Sequence, residues 1–211
     1  MEERVIIAAG EIVLEGRLTP GDPVRAGLVC HPHSLYGGSM DNNVVQAAVQ
    51  ALVKAGWTAL RFNFRGVGRS AGVYGDGLGE QEDAAAAVNF LKERGAKDIV
   101  VIGYSFGAWV SAFAWPRLRG AGLRPLVLIA PPAAFMSFEK LPLETEVGLI
   151  ICGEEDEIAP PDLARELGSR LAAPVEPVVR PRADHFFAGH EPELISILSR
   201  HLDGLALEPG R

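Results

Sequence analysis

The chain has 211 residues, of which 48% are hydrophobic and 22% charged, with a formal net charge of −7. That length suits one α/β domain over residues 1–211 with a sizeable core, and the acidic balance argues against nucleic acid and membrane surfaces as partners. No run of about 18 apolar residues is present to cross a bilayer, and Met1-Glu2-Glu3-Arg4 opens no signal peptide, so the cytoplasm is the expected location.

Two short apolar runs, 5–7 and 12–18, flank Ala9-Gly10-Glu11 and predict an antiparallel hairpin. A turn cluster at 19–23 leads to a third strand over 26–30. That strand ends in the loop His31-Pro32-His33-Ser34-Leu35-Tyr36-Gly37-Gly38-Ser39. Asp41 is placed to cap a helix over 43–54, which Gly56 ends. The fourth strand covers 57–64. A glycine-punctuated loop over 65–72 follows it. A long helix is expected over 78–94, with Glu80, Glu82 and Asp83 near its positive end and Gly95 beyond its last turn.

The run Asp98-Ile99-Val100-Val101-Ile102 reads as a buried strand. The segment 108–115 reads as a buried helix stopped by Pro116. Further strands are expected at 126–130, 147–152 and 174–179. Helices are expected at 161–171 and 192–202, and a frayed tail over 204–211. After the opening hairpin, strands alternate with helices, which implies a largely parallel sheet covered on both faces. In such sheets chemistry gathers at the carboxyl ends of the strands.

Between the strand at 98–102 and the helix after it lies Gly103-Tyr104-Ser105-Phe106-Gly107. A Gly-x-Ser-x-Gly in that context is a nucleophile elbow. The chain must reverse within about one residue, which holds Ser105 at positive φ. Side chains at 103 and 107 would collide as the helix packs back on the strand. The serine is thereby pushed out above the sheet at a helix N-terminus.

A serine hydroxyl needs a base, and the base needs an orienting group. His185 follows the last strand in a short loop. The acid should lie between serine and histidine in the chain, and Gly153-Glu154-Glu155-Asp156-Glu157 supplies it. Asp156 is preferred; Glu154, Glu155 and Glu157 are rivals that otherwise form a solvated acidic loop. An oxyanion hole needs two donors. The N–H of Phe106 is one. Pro32 has no N–H, so His33 is the preferred second donor and Ser34 the next choice.

His31 and His33 have no third ligand at a metal-binding spacing, so they read as loop-shaping hydrogen-bonding residues, with no metal or cofactor expected. His190 and His201 fall at or on the last helix without a catalytic part. Arg61, Arg65 and Arg69 either brace their loop or bind an anionic substrate. Cys30 and Cys152 each end an apolar run and read as buried small hydrophobes.

These motifs resemble the α/β-hydrolase superfamily over nearly the whole chain. His31-Pro32-His33 with Gly37-Gly38 is similar to the oxyanion loop of its cap-less, dienelactone-hydrolase-like and esterase-like members. The segment 61–70 resembles the superfamily's Asp-x-Arg-Gly-x-Gly-x-Ser loop, with Asn63 where an acid is usual. The combination resembles a branch of small bacterial proteins known mostly as predicted hydrolases. The resemblance implies an α/β-hydrolase fold, a mostly parallel eight-stranded sheet in the order 1-2-4-3-5-6-7-8 with helices on both faces. In that order Cys30 and Cys152 end strands three positions apart, on the order of 14 Å. A disulfide needs Cα atoms within about 7 Å, so two free thiols are expected.

Many relatives insert a helical cap after strand 6. Here only about 16 residues (131–146) are available, so no cap domain is expected and the site should be open, with Phe135-Met136-Ser137-Phe138 as a pocket wall. The expected function is a serine hydrolase acting on a small-molecule carboxylic ester or related acyl bond. Acyl transfer or peptide cleavage on the same triad, and a non-catalytic binding protein of this fold, are the alternatives. A broken triad would favour the last, and here all three positions are filled. The edge strand on the C-terminal side is available to pair with a second copy, but nothing in the sequence requires a homo-oligomer.

Overall fold

The apolar runs become the strands of one sheet. The computed structural model describes residues 1–118, 120 and 122–207. The strands are β1 (Glu3–Ala9), β2 (Ile12–Thr19), β3 (Asp22–Cys30), β4 (Trp57–Phe62), β5 (Asp98–Tyr104), β6 (Leu126–Ile129), β7 (Val147–Gly153) and β8 (Val178–Arg180). Their order is β1-β2-β4-β3-β5-β6-β7-β8. β2 lies antiparallel to β1 and β4, and the remaining pairs are parallel.

Both faces are covered, which explains the unbroken apolar runs. Helices α1 (Asn43–Lys54) and α5 (Glu191–Leu207) pack on one face, over Val29, Val100, Ile102, Val127 and Ile151. Helices α2 (Leu78–Glu93), α3 (Phe106–Leu118) and α4 (Pro161–Ser169) pack on the other, over Leu28, Val101, Leu128 and Ile150. Neighbours along β5 thus belong to opposite cores, as the period of 2 demands. Each fully buried side chain of this size contributes roughly 1.5–3 kcal/mol.

Several element ends differ from the sequence reading. The cap of α1 is Asn42, not Asp41. The Asn42 side chain accepts from the Val44 N–H at 2.9 Å, while Asp41 pairs with Arg61. Helix α3 runs through Pro116 to Leu118. The proline removes the N–H that would reach Ala112, and the Thr145 hydroxyl donates to that carbonyl instead, at 3.3 Å. β8 starts only at Val178, because Pro174 and Pro177 have no N–H for a ladder. Residues 204–207, expected to fray, form the last turn of α5; 208–211 lie outside the described residues.

Cys30 and Cys152 are free and buried on β3 and β7, which β5 and β6 separate. Burial pushes the Cys30 thiol up to about 12 and Cys152 to about 11, so both stay protonated and inert. Among the described residues no helix is long and apolar enough to cross a membrane.

Candidate active site

Ser105 sits between β5 and α3 at φ +53°. Two close approaches enforce the turn. A Cβ at Gly103 would stand 2.4 Å from the Gly107 carbonyl oxygen, and one at Gly107 2.4 Å from the Cys30 carbonyl oxygen. The strain at Ser105 is held by its N–H on the Ile129 carbonyl (2.9 Å), and its own carbonyl accepts from Ala108 in the first turn of α3 (2.9 Å).

Ser105 Oγ lies 2.8 Å from His185 Nε2, and His185 Nδ1 lies 2.9 and 3.0 Å from the two Asp156 oxygens. All three side chains are buried. Asp156 Oδ1 also accepts from the N–H groups of Ile158 (2.9 Å) and Ala159 (2.7 Å), which fixes the carboxylate as an acceptor facing the imidazole. A carboxylate at Nδ1 favours the proton there and leaves Nε2 as a hydrogen-bond acceptor toward the Ser105 hydroxyl. Among the rivals, Glu154, Glu155 and Glu157 are exposed, and Glu154 instead accepts from the Arg182 N–H. Tyr104 braces His185 by donating its hydroxyl to the His185 carbonyl at 3.1 Å. Burial, reinforced by the Asp156 charge, raises the Tyr104 pKa and keeps that hydroxyl protonated. Asn43 holds the next carbonyl, that of Phe186, at 3.0 Å.

Beside Ser105 opens a cavity of about 620 Å³. Phe106 and His33 both line it; Ser34, the second choice, does not. Among the described residues no protein acceptor takes the N–H of Phe106 or of His33. Phe135 and Met136 wall the cavity as expected and Pro132 joins them, but Ser137 is not among its lining residues and Phe138 turns away into the core against Phe113. The segment between β6 and β7 forms turns rather than a cap, tied down by Trp109 Nε1 on the Ser137 carbonyl at 3.0 Å. Among the described residues no Lys, Arg, Asp or Glu lines this cavity.

The arginines face elsewhere. Arg61 donates to the Met40 carbonyl and pairs with Glu2 and Asp41. Arg65 grips Asp83 at 2.8 Å and Glu82 at 3.2 Å. Both brace loops, and neither reaches the cavity. Asn63 answers the departure in that loop: its Oδ1 accepts from the Met40 N–H at 2.8 Å while its Nδ2 donates to Glu15 at 3.1 Å. An acid at 63 could not donate to that second carboxylate.

Tyr74, outside every motif of the sequence, also belongs to this site. Its hydroxyl meets His33 Nε2 at 3.2 Å, and its ring packs on His33 at 5.1 Å. A tyrosine in a glycine-rich loop carries no signal of that contact. The anchor of its loop was equally hidden: Glu80, read as a dipole acid, accepts from the N–H groups of Gly75 and Gly77.

Comparison with known proteins bears on the family and the fold. The Alpha/beta hydrolase family model matches residues 27–146. An uncharacterized protein of Rickettsia prowazekii is 34% identical over 203 residues, covering 90% of this chain and 84% of that one. The structure of an α/β serine hydrolase homologue from Coxiella burnetii is similar with a TM-score of 0.85 at 36% identity, over 95% of this chain and 97% of that one. A serine hydrolase without a lid from Xanthomonas campestris matches with a TM-score of 0.88 at 32% identity, over 99% of this chain and 96% of that one. A family model over more than half the chain, together with full-length structural likeness at this identity, places the protein in the alpha/beta hydrolase family.

Proposed function

We propose that this protein hydrolyses a carboxylic ester or a related acyl bond of a small molecule through an acyl-enzyme on Ser105. The observation that carries the reading is the hydrogen-bonded chain Ser105 Oγ to His185 Nε2 at 2.8 Å and His185 Nδ1 to Asp156 at 2.9 Å. The lidless serine hydrolase from Xanthomonas campestris, which the chain resembles throughout, supports it.

Ser105 Oγ attacks the acyl carbon as its proton passes to His185 Nε2. Asp156 holds the imidazole in place and stabilises the imidazolium. The carbonyl oxygen becomes an oxyanion held by the N–H groups of Phe106 and His33. Each such donor lowers the barrier by about 3 kcal/mol. The alcohol leaves with the proton from His185. A water then gives a proton to His185 and its oxygen to the acyl carbon, the bond from that carbon to Ser105 Oγ breaks, and His185 returns the proton to Oγ, which frees the acid and restores both residues.

The lining supports an uncharged acyl group. Among the described residues no charged side chain lines the cavity to pair with an ionic substrate, and the volume suits a small ligand. The test is steady-state hydrolysis of short-chain p-nitrophenyl esters by the wild type and by Ser105→Ala. Turnover that vanishes in the variant is the expected result; equal turnover in both proteins refutes the assignment.

A further inference from the structure

His31 is fully buried at the end of β3, outside the triad. Both its ring nitrogens are engaged. Nε2 lies 3.0 Å from the Phe64 N–H, which can only donate, so Nε2 is an acceptor. In a neutral imidazole the proton then sits on Nδ1, which lies 2.6 Å from the Pro32 carbonyl oxygen. Burial lowers the pKa of His31 to about 4, so the neutral ring persists at ordinary pH.

The Pro32 carbonyl and the His33 N–H belong to one peptide group. The described residues contain no cis peptide bond, so that C=O and N–H point in opposite directions. Holding the carbonyl on the core side turns the N–H to the cavity side. The packing around the same unit is tight: a Cβ at Gly38 would stand 2.1 Å from the Pro32 oxygen. The His33 carbonyl is tied separately, by the Gly38 N–H at 3.0 Å and the Tyr36 N–H at 3.1 Å. Only His31 holds the Pro32 end among the described hydrogen bonds.

We infer that His31 is a positioning residue: a two-ended strut from the Phe64 N–H to the Pro32 carbonyl that aims the His33 N–H at the oxyanion. The inference rests on the reading of His33 as an oxyanion donor given above. It assigns His31 an effect on the transition state and none on ground-state binding.

The two amide replacements separate the ends of the strut. In His31→Asn the side-chain NH2 stands near the place of Nδ1 and still donates to Pro32, while the bond to Phe64 is lost. In His31→Gln the longer side chain reaches toward Phe64 and the donor to Pro32 is lost. Each variant breaks one buried hydrogen bond, so their melting temperatures should fall alike. Kinetics should differ. On p-nitrophenyl acetate, His31→Gln should lose about 100-fold in kcat with KM within twofold, and a trifluoromethyl ketone, which forms an oxyanion adduct, should bind more weakly by a similar factor. His31→Asn should keep kcat within tenfold of wild type. Equal losses in kcat for the two variants, or kcat of His31→Gln within threefold of wild type, overturn the inference. Nitrogen NMR of the wild-type imidazole is independent of activity. A neutral ring protonated at Nδ1, with a slowly exchanging proton, supports the strut, and protonation at Nε2 overturns it. If the wild type neither turns over esters nor binds the ketone, the serine-hydrolase reading fails, and the oxyanion role of His31 falls with it even where NMR shows the bond.

Discussion

Replacing Asp156 by Asn changes almost nothing in shape and should remove nearly all activity. Oδ1 accepts from two backbone N–H groups, Ile158 at 2.9 Å and Ala159 at 2.7 Å, so the oxygen of an asparagine must take that position. Its NH2 then falls at the place of Oδ2, 2.9 Å from His185 Nδ1. Nδ1 then faces the amide NH2 at 2.9 Å and, at 3.0 Å, an amide oxygen already taken by two backbone N–H groups, which favours the other tautomer: Nδ1 accepts from the amide and Nε2 carries the proton. The proton now points at Ser105 Oγ, 2.8 Å away, and the base is gone. A wrong tautomer in an otherwise intact triad costs on the order of 10⁴ in kcat, or about 5 kcal/mol of barrier. Stability should fall by only about 1 kcal/mol, as charge-assisted bonds to two N–H groups become neutral ones. The assay is kcat on p-nitrophenyl acetate beside a thermal melt. An Asp156→Asn protein with kcat within tenfold of wild type refutes the tautomer reasoning, whatever its melting temperature.

Gly107→Ala should cost more than the 1–3 kcal/mol typical of overpacking, because its Cβ would meet backbone, the Cys30 carbonyl at 2.4 Å, which cannot move aside. Gly204→Ala, with nothing within 4 Å in the last turns of α5, should instead gain about 0.5–1 kcal/mol in urea unfolding. Asn63→Asp should lose about 1–3 kcal/mol at neutral pH by setting two carboxylates against each other, and Glu15→Gln in that background should recover most of it. His31 makes stability depend on pH in a definite direction. Its folded pKa, near 4, lies below the unfolded 6.5, so the unfolded chain binds more protons between those values and stability falls as pH drops through that window. The His31 contribution totals about 3 kcal/mol, and a urea-melt series from pH 7 to 4 should show a shallower slope in His31→Gln.

The elbow was legible because its requirement is local: two glycines, a buried strand and a buried helix fix the turn before any tertiary contact is known. The strand order followed from the family resemblance. Asp156 was separable from three neighbouring acids only by preference in the sequence. What distinguishes it is burial against Ala159 and His185, which depends on a loop 29 residues later in the chain. The α1 cap slipped by one residue because Asp41 and Asn42 are equally good caps, and Arg61, 20 residues on, claims the aspartate. Pro116 reads as a stop until Thr145 appears beside the orphaned carbonyl of Ala112. His31 and Tyr74 gave no signal of their partners, since a histidine's role is set by what faces its two nitrogens.

The claim that Ser105 is an activated nucleophile is tested most directly by a fluorophosphonate probe, read by intact-protein mass and peptide mapping. One adduct per chain is expected, on Ser105, absent from Ser105→Ala and strongly slowed in His185→Ala. A wild-type protein that takes up no probe, or takes it up equally after Ser105→Ala, would contradict it.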